Sequence, residues 1–220
     1  MESIYKNKVS DVNHINEQQD RHHVNIPSFQ LDNGNMSWIE EIDYDEAEGK
    51  TKEIYDKIRE QRGKLSNIMK VQSLMPEAMD HHLNLYLSIM FKDRSLSREK
   101  CEMIGVIVSS INGCDYCVNH HAEALNHFWK NQEKIKKLKV DYESVDISEK
   151  EKKMLEFAKR ATEKPDSVGK EVIDELRNLG FSDKEILNIA MISSYFNFVN
   201  RIALTLGVDF SEEEMKGYDY

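Results

Sequence analysis

The chain has 220 residues, of which 40% are hydrophobic and 32% charged, and its formal net charge at pH 7 is −10. This length suits one large domain with or without a tail, and the acidic balance, with no basic stripe, argues against nucleic-acid binding. No signal-peptide pattern and no apolar run long enough for a membrane span occurs. The three cysteines do not form the framework of a secreted domain, so we predict a cytoplasmic protein.

The first 36 residues are polar, rich in asparagine and glutamine, and show no sustained hydrophobic period. We therefore predict a loosely held N-terminal tail over 1–36, in which His14, His22 and His23 are incidental. The folded domain is predicted to span 37–210, and a short C-terminal tail is predicted at 211–220.

After the N-terminal tail, apolar residues recur at helical intervals and strand alternation is absent. The segment EAEGKTKEIYDKIREQRG predicts a helix that ends at Gly63, and PEAMDHHLNLYLSIMF predicts one that begins at Pro76. A third helix follows the serines of SLSREK, runs through CEMIGVIVSSI and is broken at Asn112-Gly113. A fourth helix is predicted to begin at Cys114.

The second half of the chain continues this pattern. The lysine-rich run KNQEKIKKLK is typical of a solvated helix face, Ser148 caps the helix that follows it, and VGKEVIDELRNLG ends on Gly180. Ser182 and Glu185 form a capping box that opens a long helix ending at Gly207. The predicted fold class is therefore all-α.

Two of these segments, SREKCEMIGVIVSSINGC and SDKEILNIAMISSYFNF, resemble each other in a serine at the start, an apolar run and a Ser-Ser pair. A degenerate internal helical repeat and a chance match between two buried helices both explain this similarity. In a true repeat, the second copy would carry Phe198 and Arg201 where the first carries Cys114 and Cys117. The first copy would then keep the reactive residues, and the second copy would contribute only to packing.

The stretch GCDYCVNHH contains two of the three cysteines and two of the eight histidines. At about 100° per residue on a helix, Cys114, Cys117 and His121 share one face, whereas His120 points away from His121. Cysteines one turn apart at a helix N-terminus can form a disulfide, and the helix dipole lowers the pKa of a thiol there. Three interpretations of this cluster remain open, namely a metal site, an inert buried cysteine pair and a redox-active dithiol.

A zinc site usually takes a second ligand pair from elsewhere, but outside this cluster the sequence has no further CxxC, CxxH or HxxxH. We therefore predict no metal and no cofactor. Cys101 lies in an apolar run and is interpreted as a core residue. Glu102 precedes the run MIGVIVSSI, and if its helix folds back across the Asn112-Gly113 break, its carboxylate can orient His121, which lies one turn after Cys117.

The chain has Glu102, a step of twelve residues to Cys114, and a C-x-x-C-x-x-x-H run that ends at His121. This combination resembles the alkylhydroperoxidase D motif of the carboxymuconolactone decarboxylase superfamily. The segments WIEEIDYDEAEG, SNIMKVQSLMPEAM and YFNFVNRIALTLGV are similar to its branch of peroxidase-related proteins, over roughly 38–208. The resemblance implies an all-helical homo-oligomer, trimeric or hexameric, that reduces peroxides with thiols and without a cofactor.

By position, the resemblance implies that Cys117 is the peroxidatic cysteine, that Cys114 resolves its sulfenic acid as a disulfide, and that Glu102 and His121 form the proton relay. It also implies a dithiol reductant, a lipoyl or thioredoxin-like protein. This chain departs from the family at one position. Members often carry a histidine just before the second cysteine, where Tyr116, a poor base near neutral pH, stands here.

Two further residues are candidate auxiliaries. His120 could compensate for the missing histidine, although its place on the helix points it away from the cysteine face. Asn197, Asn200 and Arg201 are polar residues in an otherwise apolar helix. They either form hydrogen bonds between helices or line the pocket, where Arg201 would bind substrate or pair with an acid. A metal-binding or non-redox helical module, and a cofactor-free lyase on the same scaffold, are the alternative functions.

Overall fold

The computed structural model describes residues 36–211, 213–215 and 217–218, so nearly all of the predicted N-terminal tail, with His14, His22 and His23, lies outside the described residues. The described part of the chain contains nine α-helices and no strand, which confirms the all-α prediction. Their bounds are α1 Gly49–Arg62, α2 Asn67–Lys70, α3 Pro76–Leu87, α4 Arg98–Asn112, α5 Asp115–Trp129, α6 Gln132–Val140, α7 Glu149–Glu163, α8 Lys170–Asn178 and α9 Asp183–Leu206. A π-helical turn at Ser88–Lys92 extends α3, and 3-10 turns lie at Tyr142–Ser144 and Pro165–Ser167.

Capping residues fix the helix ends that the sequence indicates. Ser148 and Ser182 each accept a hydrogen bond from the backbone N–H three residues later, where a glutamate bonds back to the serine N–H. Both α7 and α9 therefore begin with a complete capping box, which confirms the box predicted at Ser182 and the cap predicted at Ser148. Cys114 is the N-cap residue of α5, which confirms the predicted start of that helix.

The centre of the fold is α4, which packs against α5, α7 and α9. Every residue from Cys101 to Ser109 is buried, as expected of a helix that is surrounded by others. Gly113 ends α4 with a φ of 69°, a left-handed conformation that glycine adopts at little cost. The chain turns at this residue and α5 folds back along α4, which is the condition under which Glu102 can orient His121. The two similar segments form α4 and α9, which pack directly against each other.

Two apolar clusters meet at a cavity of about 100 Å³. The larger cluster is centred on α4, α5, α7 and α9, and the smaller one on α1 and α3. Ile68, Tyr86 and Phe91 pack against both clusters. The cavity wall takes Ile58 from the smaller cluster and Phe196 from the larger one. None of the described helices is both long enough and apolar enough to span a membrane.

Candidate active site

Cys114 and Cys117 lie at the N-terminus of α5 with their sulfurs 3.0 Å apart. Both are free thiols, and Cys114 is 1% and Cys117 2% exposed. Cys117 lines the cavity, whereas Cys114 is not among the described residues of its wall. A molecule in the cavity therefore meets Cys117 first, with Cys114 directly behind it.

The Cys114–Cys117 pair accommodates one negative charge more readily than two negative charges. A hydrogen bond between the sulfurs lowers the pKa of Cys114, against the effect of burial and with help from the backbone N–H of Cys117. The same hydrogen bond, burial and the neighbouring thiolate raise the pKa of Cys117 well above its ordinary value. Two thiolates at this distance repel each other. The pair therefore releases one proton and shares the other, and its pKa values belong to both sulfurs jointly.

Glu102 and His121 form the second part of the site. Nδ1–H of His121 donates to Oε2 of Glu102 over 2.7 Å, which leaves Nε2 of the neutral ring as the acceptor. Both side chains line the same cavity as Cys117. No hydrogen bond between His121 and Cys117 occurs within the described residues, so this link of the predicted relay stays a prediction.

Arg98 keeps the carboxyl group of Glu102 ionised. Its Nε donates to Oε1 over 2.6 Å and its Nη2 contacts the same oxygen. Burial alone would raise the pKa of Glu102, but the charge of Arg98 and the contact with His121 outweigh burial, and the pKa is lowered. Sequence reasoning missed Arg98. The available signal was its spacing of four residues from Glu102 on one helix face.

Gly105 and Phe196 fix the ring of His121. A β-carbon at Gly105 would lie 2.8 Å from Cγ of His121, and the Phe196 ring packs edge-on with its centroid 4.2 Å from that of the imidazole. Sequence reasoning missed both residues. A glycine inside a helix costs stability relative to alanine, and this cost was the only signal that pointed to Gly105.

Tyr116 binds the C-terminal segment rather than the cysteines. Its hydroxyl donates to Oε1 of Glu214 over 3.0 Å and accepts from the N–H of Ile68 over 3.1 Å. Burial and then the charge of Glu214 raise the pKa of Tyr116 well above its ordinary value. Glu214 is itself buried, accepts from the N–H of Asn67 and lies 3.3 Å from Nζ of Lys64. The predicted C-terminal tail thus folds onto the site.

The other two candidate auxiliaries lie apart from the sulfurs. His120 packs against Tyr116, with ring centroids 4.3 Å apart, and its Nδ1–H donates to the Tyr116 carbonyl. It lines the cavity, with Nε2 3.6 Å from Glu214. Arg201 is exposed, donates to the backbone and side chain of Asn197, and is not among the described residues of the cavity wall. The structure therefore does not support substrate binding by Arg201 in this cavity.

A buried polar group from α9 lies behind the cysteine pair. Nδ2 of Asn200 donates to Oγ of Ser109 over 3.1 Å, and its Oδ1 accepts from Asn112 over 2.8 Å. These are the inter-helix hydrogen bonds that the sequence offered as one alternative. In addition to the causes given above, the amide of Asn200 lowers the pKa of both Cys114 and Cys117.

The remaining cysteine is a core residue. Cys101 is fully buried, and burial raises the pKa of its thiol to about 12, so it remains protonated and unreactive near neutral pH. Within the described residues, no group of three or more His, Cys, Asp and Glu side chains could hold a metal ion. The metal-binding alternative therefore gains no support from the arrangement of these donors.

Comparison with known proteins places this site in a family. Residues 76–160 match the model of the carboxymuconolactone decarboxylase family. The uncharacterized protein YdfG of Bacillus subtilis (strain 168) is 28% identical over 119 residues, which are 53% of this chain and 79% of that protein.

Solved structures share the fold. An alkylhydroperoxidase AhpD core from Ralstonia eutropha JMP134, an uncharacterized peroxidase-related protein, superposes with a TM-score of 0.75 at 25% identity, over 82% of this chain and 95% of its own. The debrominase Bmp8, solved as a cysteine-to-alanine variant in complex with 2,3,4-tribromopyrrole, superposes with a TM-score of 0.64 at 22% identity, over 75% and 87% of the two chains. At 22% identity, the similarity to Bmp8 shows a shared fold and nothing about the reaction.

Proposed function

We propose that the chain reduces organic peroxides with the dithiol of Cys114 and Cys117, as a member of the alkylhydroperoxidase D and carboxymuconolactone decarboxylase superfamily, whose members are enzymes. One observation carries the proposal. The sulfurs are 3.0 Å apart, and Cys117 lines the same cavity as the Glu102–His121 pair. Peroxide reduction by a dithiol needs a nucleophilic sulfur with an oriented base on one side and a resolving thiol on the other.

The first step oxidises Cys117. Its thiolate attacks the terminal oxygen of R–O–O–H, and the O–O bond breaks with its electron pair on the inner oxygen. This oxygen takes a proton and leaves as the alcohol, while the sulfur becomes a sulfenic acid. The step therefore needs a thiolate on the cavity side of the pair and a proton donor for the leaving oxygen.

The proton relay supplies both requirements. Nε2 of His121 accepts the proton that leaves the thiol and returns it to the leaving alkoxide, while Glu102 holds Nδ1–H and stabilises the charged ring. The lowered pKa of Cys114 places the resting negative charge on that sulfur. Transfer of the shared proton from Cys117 to Cys114 moves the charge to the cavity side, where the peroxide reacts.

The second step closes the cycle within the protein. Cys114 attacks the sulfur of the sulfenic acid, the S–O bond breaks, and the oxygen leaves as water with two protons. The products of one cycle are the alcohol, water and the Cys114–Cys117 disulfide. A dithiol protein then reduces this disulfide by thiol–disulfide exchange and is itself oxidised; we propose a lipoyl or thioredoxin-like protein in this role.

We also propose that the protein works as a homo-oligomer in the cytoplasm. The outward face of α9 carries three large apolar side chains at helical spacing, Leu187, Met191 and Phe198, with exposed fractions of 61, 39 and 49%. Exposed apolar side chains that share one helix face are typical of a surface that another protein covers. A second copy of the chain, related by symmetry, can supply the matching surface.

Disulfide mapping tests the proposed reaction. Reduced protein is treated with one equivalent of cumene hydroperoxide, and we expect the loss of two thiols per equivalent and one disulfide, between Cys114 and Cys117, in the mass spectrum. Cys101→Ser serves as the control and is expected to behave as the parent does. Because a fold does not choose a reaction, a brominated pyrrole is tested alongside. Oxidation of the dithiol by that compound and not by the hydroperoxide would replace peroxide reduction with dehalogenation.

A further inference from the structure

The C-terminal segment forms part of the cavity wall. We call its described residues, 211, 213–215 and 217–218, the C-terminal lid. Tyr218 of this lid lines the cavity, and it packs beside two other residues of the wall. The centroid of its ring lies 5.7 Å from that of His120 and 5.6 Å from Nζ of Lys64. The lid therefore supplies one side of the space that Cys117 faces.

One buried carboxylate holds the lid in place. Glu214 is 6% exposed, and its Oε1 accepts from the N–H of Asn67 over 2.9 Å and from the hydroxyls of Tyr116 and Tyr218 over 3.0 Å each. Its Oε2 lies 3.3 Å from Nζ of Lys64, which also donates to the Glu214 carbonyl over 3.1 Å. Hydrogen bonds to a charged group are the stronger ones, so these contacts are the main attachment of the lid.

The attachment is charged, but the lid itself has no regular structure. Burial alone would raise the pKa of Glu214, but the contacts with His120, with the N–H of Asn67 and with Lys64 lower it to about 2, so the carboxylate is ionised at neutral pH. The described residues of the lid form neither an α-helix nor a strand. A segment of this kind opens locally at a smaller free-energy cost than a helix of the core. Loss of the Glu214 carboxylate should therefore release the lid and leave the helices intact.

The lid is bound to the residues that stand on either side of Cys117 on α5. Tyr116 precedes Cys117 and donates to Glu214, and His120 lies one turn after Cys117 and packs beside Tyr218. Cys117 lines the cavity but is only 2% exposed. A small molecule within the cavity can contact its sulfur, whereas a large reagent has to enter from outside. Movement of the lid would uncover this side of α5.

We propose that the C-terminal lid controls access to Cys117. With the lid closed, only small molecules reach the sulfur, and with the lid open, a bulky reagent or the thiol of another protein also reaches it. A protein thiol has to contact the sulfur that it attacks. In the reaction proposed above, on which this last step rests, the lid stays closed while the peroxide reacts and opens for the dithiol protein that reduces the Cys114–Cys117 disulfide.

Labelling of Cys117 by two maleimides of different size tests the lid without any turnover. Reduced protein is treated with N-methylmaleimide or with N-(1-pyrenyl)maleimide, both neutral, and the rate of labelling at Cys117 is followed by mass spectrometry. Glu214→Ala is expected to raise the pyrenyl rate relative to the methyl rate by about tenfold, which corresponds to about 1.4 kcal/mol. A change in thiolate reactivity alters both rates alike and leaves their ratio unchanged. A ratio in Glu214→Ala equal to that of the parent overturns the proposal.

A second variant and a matched control sharpen this test. Lys64→Met removes the ion pair with Glu214 but leaves its other hydrogen bonds, and we expect an increase of about threefold in the same ratio, which covers the case in which Glu214→Ala does not fold. Glu213→Ala removes the same charge from the exposed neighbouring residue and is expected to keep the ratio of the parent. An equal increase in Glu213→Ala, or no increase in Lys64→Met, overturns the role given to Glu214.

The outcomes separate this inference from the proposed function. Protein whose labelling ratio changes as expected but that does not react with hydroperoxides retains the lid and loses the peroxidase assignment. Protein that reduces hydroperoxides but whose labelling ratio is the same in the parent and in Glu214→Ala retains the peroxidase assignment and loses the lid.

Discussion

Gly105 of α4 lies directly against the imidazole ring of His121, and a β-carbon at this position would lie 2.8 Å from Cγ and 3.0 Å from Nδ1. Nδ1 is the atom that donates to Glu102. Phe196 packs against the same ring, so the ring has little room to move aside. The hydrogen bond between His121 and Glu102 therefore depends on the missing side chain of Gly105.

Gly105→Ala is expected to displace His121 from Glu102. Forcing a methyl group into a packed site costs about 1–3 kcal/mol, only part of which the better helix propensity of alanine offsets. We expect peroxide-driven thiol oxidation to slow by about tenfold or more, since a misplaced acid–base group loses most of its contribution. Ser110→Ala, on the same helix, controls for a small change in α4. Parent-like oxidation by Gly105→Ala would contradict the role given to the His121 ring.

Thiolate formation in the reduced protein should occur in two widely separated steps. The pKa of Cys114 is lowered and that of Cys117 raised well above its ordinary value, because the remaining proton is shared between the sulfurs. Ultraviolet titration of thiolate absorbance is expected to show one thiolate per chain forming at a pH below the ordinary pKa of a cysteine thiol and a second one forming well above it. Cys101→Ser should not change the first step, since the pKa of Cys101 is about 12, and it removes the contribution of this thiol from the absorbance at high pH. Two thiolates that form together near the ordinary value would rule out the shared proton.

The sequence predicts the helices because their signals are local. Ser148, Ser182 and Gly113 act on neighbouring backbone groups, so their roles can be worked out without knowledge of the fold. The interpretation of Cys101 as a core residue is also confirmed, because it follows from the apolar run around it.

The neighbours of the site depend on packing between distant parts of the chain. Gly105 matters because α5 folds back along α4, and Phe196 matters because α9 contributes to the cavity wall. The role of Tyr116 follows from a partner, Glu214, that lies 98 residues further along the chain and within a segment that the sequence treats as a tail. No spacing rule within a single helix could indicate these contacts.

Tyr116→Phe tests whether this tyrosine is an anchor or a proton donor. Removal of its hydroxyl leaves the N–H of Ile68 without a partner and takes one of several hydrogen bonds from Glu214, and we expect a loss of about 1–3 kcal/mol in the free energy of unfolding. Peroxide-driven thiol oxidation and its pH profile should change by less than about twofold, because the hydroxyl takes no part in the proposed proton transfers. Tyr142→Phe, at another largely buried tyrosine, is the matched control. A loss of oxidation rate with a shifted pH profile would assign Tyr116 to the relay instead.

Burial of His82 predicts how stability depends on pH. Burial lowers the pKa of His82 to about 4, whereas the unfolded chain binds this proton below about 6.5. Between these values only the unfolded state gains the proton, so the free energy of unfolding should fall as the pH drops, by up to about 3 kcal/mol in total. Denaturant unfolding at several pH values measures this slope. His82→Gln should flatten it, and the exposed neighbour in His81→Gln should not; an unchanged slope in His82→Gln would refute this origin.

The most direct test of the central claim is the rate of peroxide consumption by Cys117→Ser in the presence of excess dithiol. Cys117 is the sulfur on the cavity wall, so this variant is expected to consume cumene hydroperoxide no faster than the uncatalysed dithiol reaction. Cys101→Ser, which alters a buried thiol outside the site, is expected to match the parent. If Cys117→Ser consumes the hydroperoxide as fast as the parent, Cys117 does not react with the peroxide.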